Sequence, residues 1–359
     1  MKTHTFSHTL QSCVAAIGLL AVTSSSRASA ENLSGSEIGQ LCTLGSSGVG
    51  QPGSVICKDV MTGATTQTAA VGATVAGPGG IAGNLDRLGK RVLVTNLSQG
   101  AVLFEIVGGQ LMSPVMLQTG GEGSLSGALS DRGAYVLTGA HLLFFPRGEM
   151  TATGSQSLLV ADGSAAQVTL AGGHAYVSEK SGSLEAFSLG KDGNIRGGAT
   201  SVAGVPAGVI VGITGVGDLV VAPIAHLASN PNQSTVPVVR GLGVVQIVPT
   251  KEVAACWAAN DGGEACVTNP GSMTVSCGQV GTNALTSYTS AAAPLSGDTV
   301  FDIDMLDTLV GILGKSNGAP VLLSYSRTKI GGDFLSPLGT FQLSGVATAT
   351  GAMLLPAIQ

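Results

Sequence analysis

The sequence predicts an all-β fold, a seven-bladed β-propeller of four-stranded antiparallel blades, and three observations carry that prediction. First, 54 of 359 residues are glycine, 44% are hydrophobic and 10% are charged, a composition suited to many tight turns between short buried strands. Second, a β-rich motif recurs seven times. Residues 91–96 (RVLVTN) return in altered form at 133–136 (GAYV), 174–177 (HAYV), 217–220 (GDLV) and 264–269 (EACVTN), and more weakly at 307–310 and 351–354. Taking the valine or its equivalent as anchor gives positions 94, 136, 177, 220, 267, 310 and 354, with steps of 42, 41, 43, 47, 43 and 44 residues. A period in the forties carried by strands is the length of a propeller blade. Third, each repeat has the same internal order of strand, tight turn, anchor strand, turn, third strand and Gly-rich crossing.

Along the chain, Lys2 supplies a positive start, residues 13–22 (CVAAIGLLAV) form an apolar run, and Ala28-Ser29-Ala30 matches a small-x-small cleavage signal. Residues 1–30 therefore read as a secretory signal peptide. Its apolar run is too short to span a bilayer, which takes about 20 residues. A lipoprotein signal at Leu10-Gln11-Ser12-Cys13 would place the apolar run before the cysteine, and here it follows. Residues 31–53 form an N-terminal segment, and 54–359 a single propeller domain. Residues 54–71 precede the first repeat and read as a hairpin.

With strands lettered A to D from the axis outward, each anchor is expected on strand B. Before it come hairpin turns such as Ser130-Asp131-Arg132-Gly133, Gly215-Val216-Gly217-Asp218 and Asn260-Asp261-Gly262-Gly263, whose Gly, Asn and Asp tolerate positive φ. After it come C strands at 101–104, 142–145, 184–187 and 321–325. Only five residues follow Leu354, so the last repeat lacks strands C and D. The expected closure joins two C-terminal strands, A and B, to the N-terminal C–D hairpin of 54–71, which removes exposed edges from the ring.

The composition also excludes functions. Low charge with abundant apolar side chains is the opposite of disorder, and the glycines lack the three-residue period of collagen. The formal charge is −5, and removal of the leader takes away Lys2 and Arg27, leaving 14 basic and 21 acidic side chains. Such a surface is not one for nucleic acid, which requires clustered Lys and Arg. One Trp, four Tyr and eight Phe are too few for the aromatic girdles of an outer-membrane barrel. Residues 204–228 hold several glycines, two prolines and Asp218 and read as two buried strands, not a membrane helix. The expected product is a secreted or periplasmic monomer with no transmembrane segment after cleavage.

Five cysteines follow the leader: Cys42, Cys57, Cys256, Cys266 and Cys277. In an exported chain they are expected to form disulfides. A bridge between Cys42 and Cys57 would clip the free N-terminal end. In the fifth repeat, Cys266 is placed to pair with Cys256 or with Cys277, and one thiol is left over. No suitably spaced histidine accompanies the three as zinc ligands, so no metal or other cofactor is expected.

Three histidines follow the leader: His141, His174 and His226. His226 lies in 222–234 (APIAHLASNPNQS), the longest connection between strands B and C. Glu179 and Lys180 occupy the matching turn of the third repeat and Lys315 that of the sixth. In a propeller the B–C and D–A connections share one face, so an acid, a base and a cation are available there. No Gly-x-Ser-x-Gly stands on a strand-to-helix turn, and no Gly-rich run carries a phosphate-loop ending.

These repeats resemble the lactonase-type seven-bladed propellers, the group similar to 6-phosphogluconolactonase and the muconate-lactonising (cycloisomerase) propellers. Residues 255–257 (ACW), the turn Asp261-Gly262-Gly263 and 267–276 (VTNPGSMTVS) look like a blade of the secreted members, and 94–104 and 176–187 fit as well. The Pro-His-x-His and Asp-Leu-Gly segments of catalytic members have no counterpart here. The resemblance implies lactone-hydrolysing ancestry. As an enzyme, the chain would hydrolyse a lactone ester, with His226 or Glu179 activating water and Lys180, Lys315 or Arg240 stabilising the carbonyl oxygen. As a non-catalytic propeller it would bind a sugar-like ligand or a partner in the envelope or extracellular space.

Overall fold

In a computed structural model of the chain, the described residues are 39–76, 84–226, 234–282, 284–292, 299–327 and 335–356. The expected leader lies outside them. The N-terminal strands are β1 (Gln40–Ser46), β2 (Pro52–Asp59) and β3 (Thr65–Thr74). Blade 1 follows as β4 (Leu85–Leu88), β5 (Arg91–Val94), β6 (Ala101–Val107) and β7 (Gln110–Leu117), and blade 2 as β8 (Ser124–Ser130), β9 (Gly133–Thr138), β10 (His141–Pro146) and β11 (Gly154–Ser157). Blade 3 comprises β12 (Ala165–Ala171), β13 (His174–Glu179), β14 (Leu184–Leu189) and β15 (Ile195–Ser201). Blade 4 comprises β16 (Thr214–Val216), β17 (Leu219–Val221), β18 (Thr235–Arg240) and β19 (Gly243–Pro249). Blade 5 is β20 (Trp257–Asp261), β21 (Glu264–Asn269), β22 (Thr274–Val280) and β23 (Leu285–Ala292). Blade 6 is β24 (Thr299–Leu306), β25 (Leu309–Ser316), β26 (Ala319–Arg327) and β27 (Leu335–Gln342), and β28 (Thr348–Leu355) ends the chain.

The strands form seven four-stranded antiparallel sheets, a seven-bladed β-propeller with no helix among the described residues. Six blades run A to D in chain order. The seventh is ordered β28-β1-β2-β3, which corrects the expected closure: one strand comes from the C terminus and three from the N terminus. Leu354 therefore sits on an A strand, unlike the other six anchors, and strand B of this blade is β1 (QLCTLGS), inside the expected N-terminal segment. The physical reason is that β1 is uncharged and fully buried, so it joins the ring, and Cys42 pairs in register with Cys57 on β2.

The apolar core lies in the seams between blades, and strand alternation explains the repeated Ala-Tyr-Val. In blade 2, Val136 points into the seam with blade 1 beside Leu93 and Leu117. Its neighbours Tyr135 and Leu137 point the other way, packing with Val177 and Phe187 of blade 3. The tyrosine also clasps its neighbour. Tyr135 donates its hydroxyl to Gly193 O at 2.5 Å, and Tyr176 donates to Gly241 O at 2.9 Å, each acceptor lying in the C–D turn of the following blade. Tyr176→Phe is expected to destabilise the fold by about 1 kcal/mol, the net value of one hydrogen bond, read as a lower urea midpoint at unchanged m-value.

Where the tyrosine is missing, arginines join the blades on the same face. Arg91 donates to Ser130 O at 2.6 Å across the seam between blades 1 and 2. Arg240 pairs with Asp218 at 2.9 Å and donates to Thr282 O of blade 5. Arg327 of blade 6 pairs with Asp261 at 2.8 Å and with Glu264, both of blade 5.

Candidate functional site

Strands β4, β8, β12, β16, β20, β24 and β28 ring a central cavity of about 370 Å³. The inner edge of an A strand has no further strand beside it, so its backbone groups need other partners. Polar side chains from neighbouring A strands supply them. Asp86 accepts from Leu129 N at 2.5 Å, and Ser126 Oγ from Val168 N at 3.2 Å. Gln167 Oε1 accepts from Ile213 N at 2.7 Å, and Asn260 donates to Gly215 O at 3.0 Å. Asp302 and Asp304 accept from Ala352 N and Leu354 N, at 3.2 and 2.7 Å, and so hold the closing strand β28. Burial pushes Asp86 and Asp304 up to about 6 against the opposing pull of these backbone hydrogen bonds. These acids escaped the sequence reading, although Asp302 and Asp304 alternate within an apolar strand (TVFDIDML), a signal that was there to be used.

The face carrying the B–C and D–A connections holds four of the candidate residues. Glu179 ends β13 and is fully buried. Val177 lies opposite Glu185 in the β13–β14 register, and Glu179 N donates to Ser183 O at 3.0 Å, so alternation puts Glu179, Ser183 and Glu185 on the sheet side facing blade 2. Ser164 Oγ donates to Glu179 Oε2 at 2.8 Å. Glu185 accepts from Leu159 N and Val160 N at 2.9 and 2.8 Å. The two glutamates thereby pin the connection from blade 2 into blade 3. Among the described residues, Glu179 Oε1 and Ser183 Oγ are buried without a hydrogen-bond partner. Burial above all, and then the neighbouring Glu185 and Asp162, push Glu179 up to about 8 against the Ser164 bond and Lys180. Partial burial lowers Lys180 from its ordinary range, opposed by Glu179 and Asp162.

His226 is half-buried, and the rest of its connection, 227–233, lies outside the described residues. Two close approaches link it to the Glu179 turn. A Cβ at Gly182 would overlap Gly208 O, and Val209 and Ala225 exchange backbone hydrogen bonds at 2.9 Å. Lys315 stands over the Phe301 ring at 5.5 Å, and Phe301 meets Trp257 edge-on at 5.9 Å. Arg240 lies on the opposite face, at the C–D turn of blade 4. The structure thus joins Glu179 with Lys180, sets His226 two segments away, and places Lys315 and Arg240 elsewhere. A histidine–carboxylate contact that sequence reasoning did not anticipate joins His141 Nδ1 and Glu122 Oε1 at 2.9 Å.

Two disulfides are present, Cys42–Cys57 and Cys266–Cys277, and Cys256 is buried and belongs to neither. This resolves the alternatives in blade 5: Cys266 and Cys277 are directly opposite in the β21–β22 register, whereas Cys266 faces Ala259 on β20. No group of metal-ligating side chains is found among the described residues, and they include no helix long and apolar enough to cross a membrane.

No family model matches the sequence, and no curated protein matches it. Among solved structures, the chain is similar to the computationally designed Ika8 protein, at 12% identity and a TM-score of 0.52 over 86% of this chain and 88% of that one. It is also similar to a chain of a nidogen/laminin complex, at 9% identity and a TM-score of 0.50 over 88% of this chain and 98% of that one. Hsv2 of Kluyveromyces lactis matches at 13% identity and a TM-score of 0.50, over 80% and 92%. At these identities the likeness concerns fold alone, and the chain is a seven-bladed β-propeller.

Proposed function

We propose that the chain is an exported, non-catalytic propeller that acts as a binding scaffold in the envelope or extracellular space. The observation that carries this reading is the separation of His226, Lys315 and Arg240 from the Glu179–Lys180 turn. Glu179 has no exposed surface and is held in its protonated form at neutral pH, so it does not meet solvent water as a base. Lys315 is engaged with Phe301, and Arg240 is ion-paired on the far face. The inner aspartates hold backbone amides of adjacent blades, a role in assembly of the ring. Two disulfides support export, since such bridges persist in oxidising compartments.

The test is a panel of lactone esters incubated with the purified chain and with His226→Ala and Glu179→Ala variants. Hydrolysis at the buffer rate by all three, with folding verified by circular dichroism, is the expected outcome. Hydrolysis by the parent that falls in either variant would overturn the scaffold reading and restore the lactonase one.

A further inference from the structure

Between blades 1 and 2, on the face of the A–B and C–D turns, lie two adjoining cavities of about 370 and 580 Å³ that share Arg91, Glu105 and Arg147. Their origin is a short outer strand. β11 pairs only with His141–Phe144 of β10, so Phe145, Pro146 and the turn at 147–149 have no outer strand beside them. Facing them on blade 1, the register aligns Arg91 with Glu105 and Glu105 with Met112, and in the next row Leu93 with Leu103 and Leu103 with Val115. Ala134 and Gly148 on blade 2 are too small to fill the space opposite. Toward the axis the seam is packed by Leu93, Leu129 and Val136 of the A and B strands, and it opens farther out, with Leu117 and Phe145 in the cleft wall.

The cleft carries three cations and three acids. Lys90, Arg91 and Arg147 line it with Glu105, Asp131 and Glu149, yet among the described residues none of the six is joined to another in an ion pair. Arg91 bonds through its guanidinium to Ser130 O. Partial burial first, and then the like charge of Arg147, hold Arg91 below its ordinary range, with Asp131 and Asp86 acting the other way. Arg91 and Arg147 line both cavities, so the two guanidinium groups share the cleft, and an anion between them would satisfy both. The cleft also has exposed apolar side chains in its lining: Val107 and Val115 are exposed at 59 and 37%.

We propose that the cleft between blades 1 and 2 binds a small organic anion, with its carboxylate or sulfonate head between Arg91 and Arg147 and its apolar body against Leu103, Val115 and Phe145. This inference rests on the scaffold reading and names its ligand class. A lactone would lack the charge that the two arginines call for. An aliphatic amine of the same length would bring the wrong sign.

Octanoate is a suitable probe, titrated calorimetrically into the full mature chain. Saturable binding is expected, weakened by added salt. Arg147→Ala is expected to lower the affinity about tenfold or more, the effect of a charge-assisted hydrogen bond. Arg147 is exposed and outside the packed seam, so this variant keeps the fold. Arg240→Ala removes the same charge on another seam, and its affinity is expected to match the parent's. Octylamine is expected to give no saturable heat. Absence of octanoate binding by the parent, equal binding by Arg147→Ala, or an equal loss in Arg240→Ala would overturn the cleft assignment. None of these outcomes alters the lactone result, so failure here and failure of the scaffold reading are separable.

Discussion

Glu179→Gln is expected to raise the melting temperature by several degrees at about pH 9 and to leave it nearly unchanged at about pH 5. The carboxyl of Glu179 is fully buried, takes one hydrogen bond from Ser164 and shares its sheet face with Glu185. Its pKa rises from 4.5 to about 8. In the window between those values the folded state holds a proton that the unfolded state has released, so stability falls as pH rises through it and levels off above the folded value. The difference corresponds to a loss on the order of 5 kcal/mol by alkaline pH. Glutamine keeps the shape and the acceptor for Ser164 and has no charge to bury. The variant should therefore match the protonated parent in acid and exceed it in base. Differential scanning calorimetry of both chains across this range checks the expectation, and parallel pH profiles would show that Glu179 has the same pKa in the folded and unfolded states.

What the sequence revealed and what it withheld divide along physical lines. The blade repeat was legible because Ala-Tyr-Val serves two seams at once, with Val136 facing one and Tyr135 the other, and that demand returns at every blade built the same way. The closing blade was misread because β28 (TATGAMLL) has the apolar character of a B strand while lying on A. The true B strand, β1, lacks the motif and is instead tied by Cys42 to Cys57. The placement of Glu179 on the B–C face was legible from strand order, but its burial was not. That depends on the connection from blade 2, whose Leu159 and Val160 amides fold onto Glu185. The cleft between blades 1 and 2 gave no signal in sequence, since it arises from a strand that stops at four residues and from small residues opposite large ones.

The seam between blades 5 and 6 should be the most sensitive to loss of one side chain. Cys266 occupies the position of Tyr135 and Tyr176 in the repeat and is bonded to Cys277, so no tyrosine clasp starts from blade 5. Its place is taken by Arg327, at the end of β26, which is 8% exposed. Its guanidinium meets Glu264, Asp261 at 2.8 Å and the carbonyl of Asp307 at 2.7 Å. Glu264 is itself buried, so Arg327→Met leaves a carboxylate in a poorly solvated seam without its cation. Removing one partner of such a buried pair costs about 3–5 kcal/mol. The expected result is a urea midpoint well below the parent's at similar m-value. Adding Glu264→Gln removes the stranded charge, and the double variant should recover a large part of the loss, because the penalty lies in the unpaired carboxylate more than in the missing bonds. An additive pair of losses would assign Arg327 a packing role only. High salt should not reproduce the effect, since ions do not screen a pair held out of solvent.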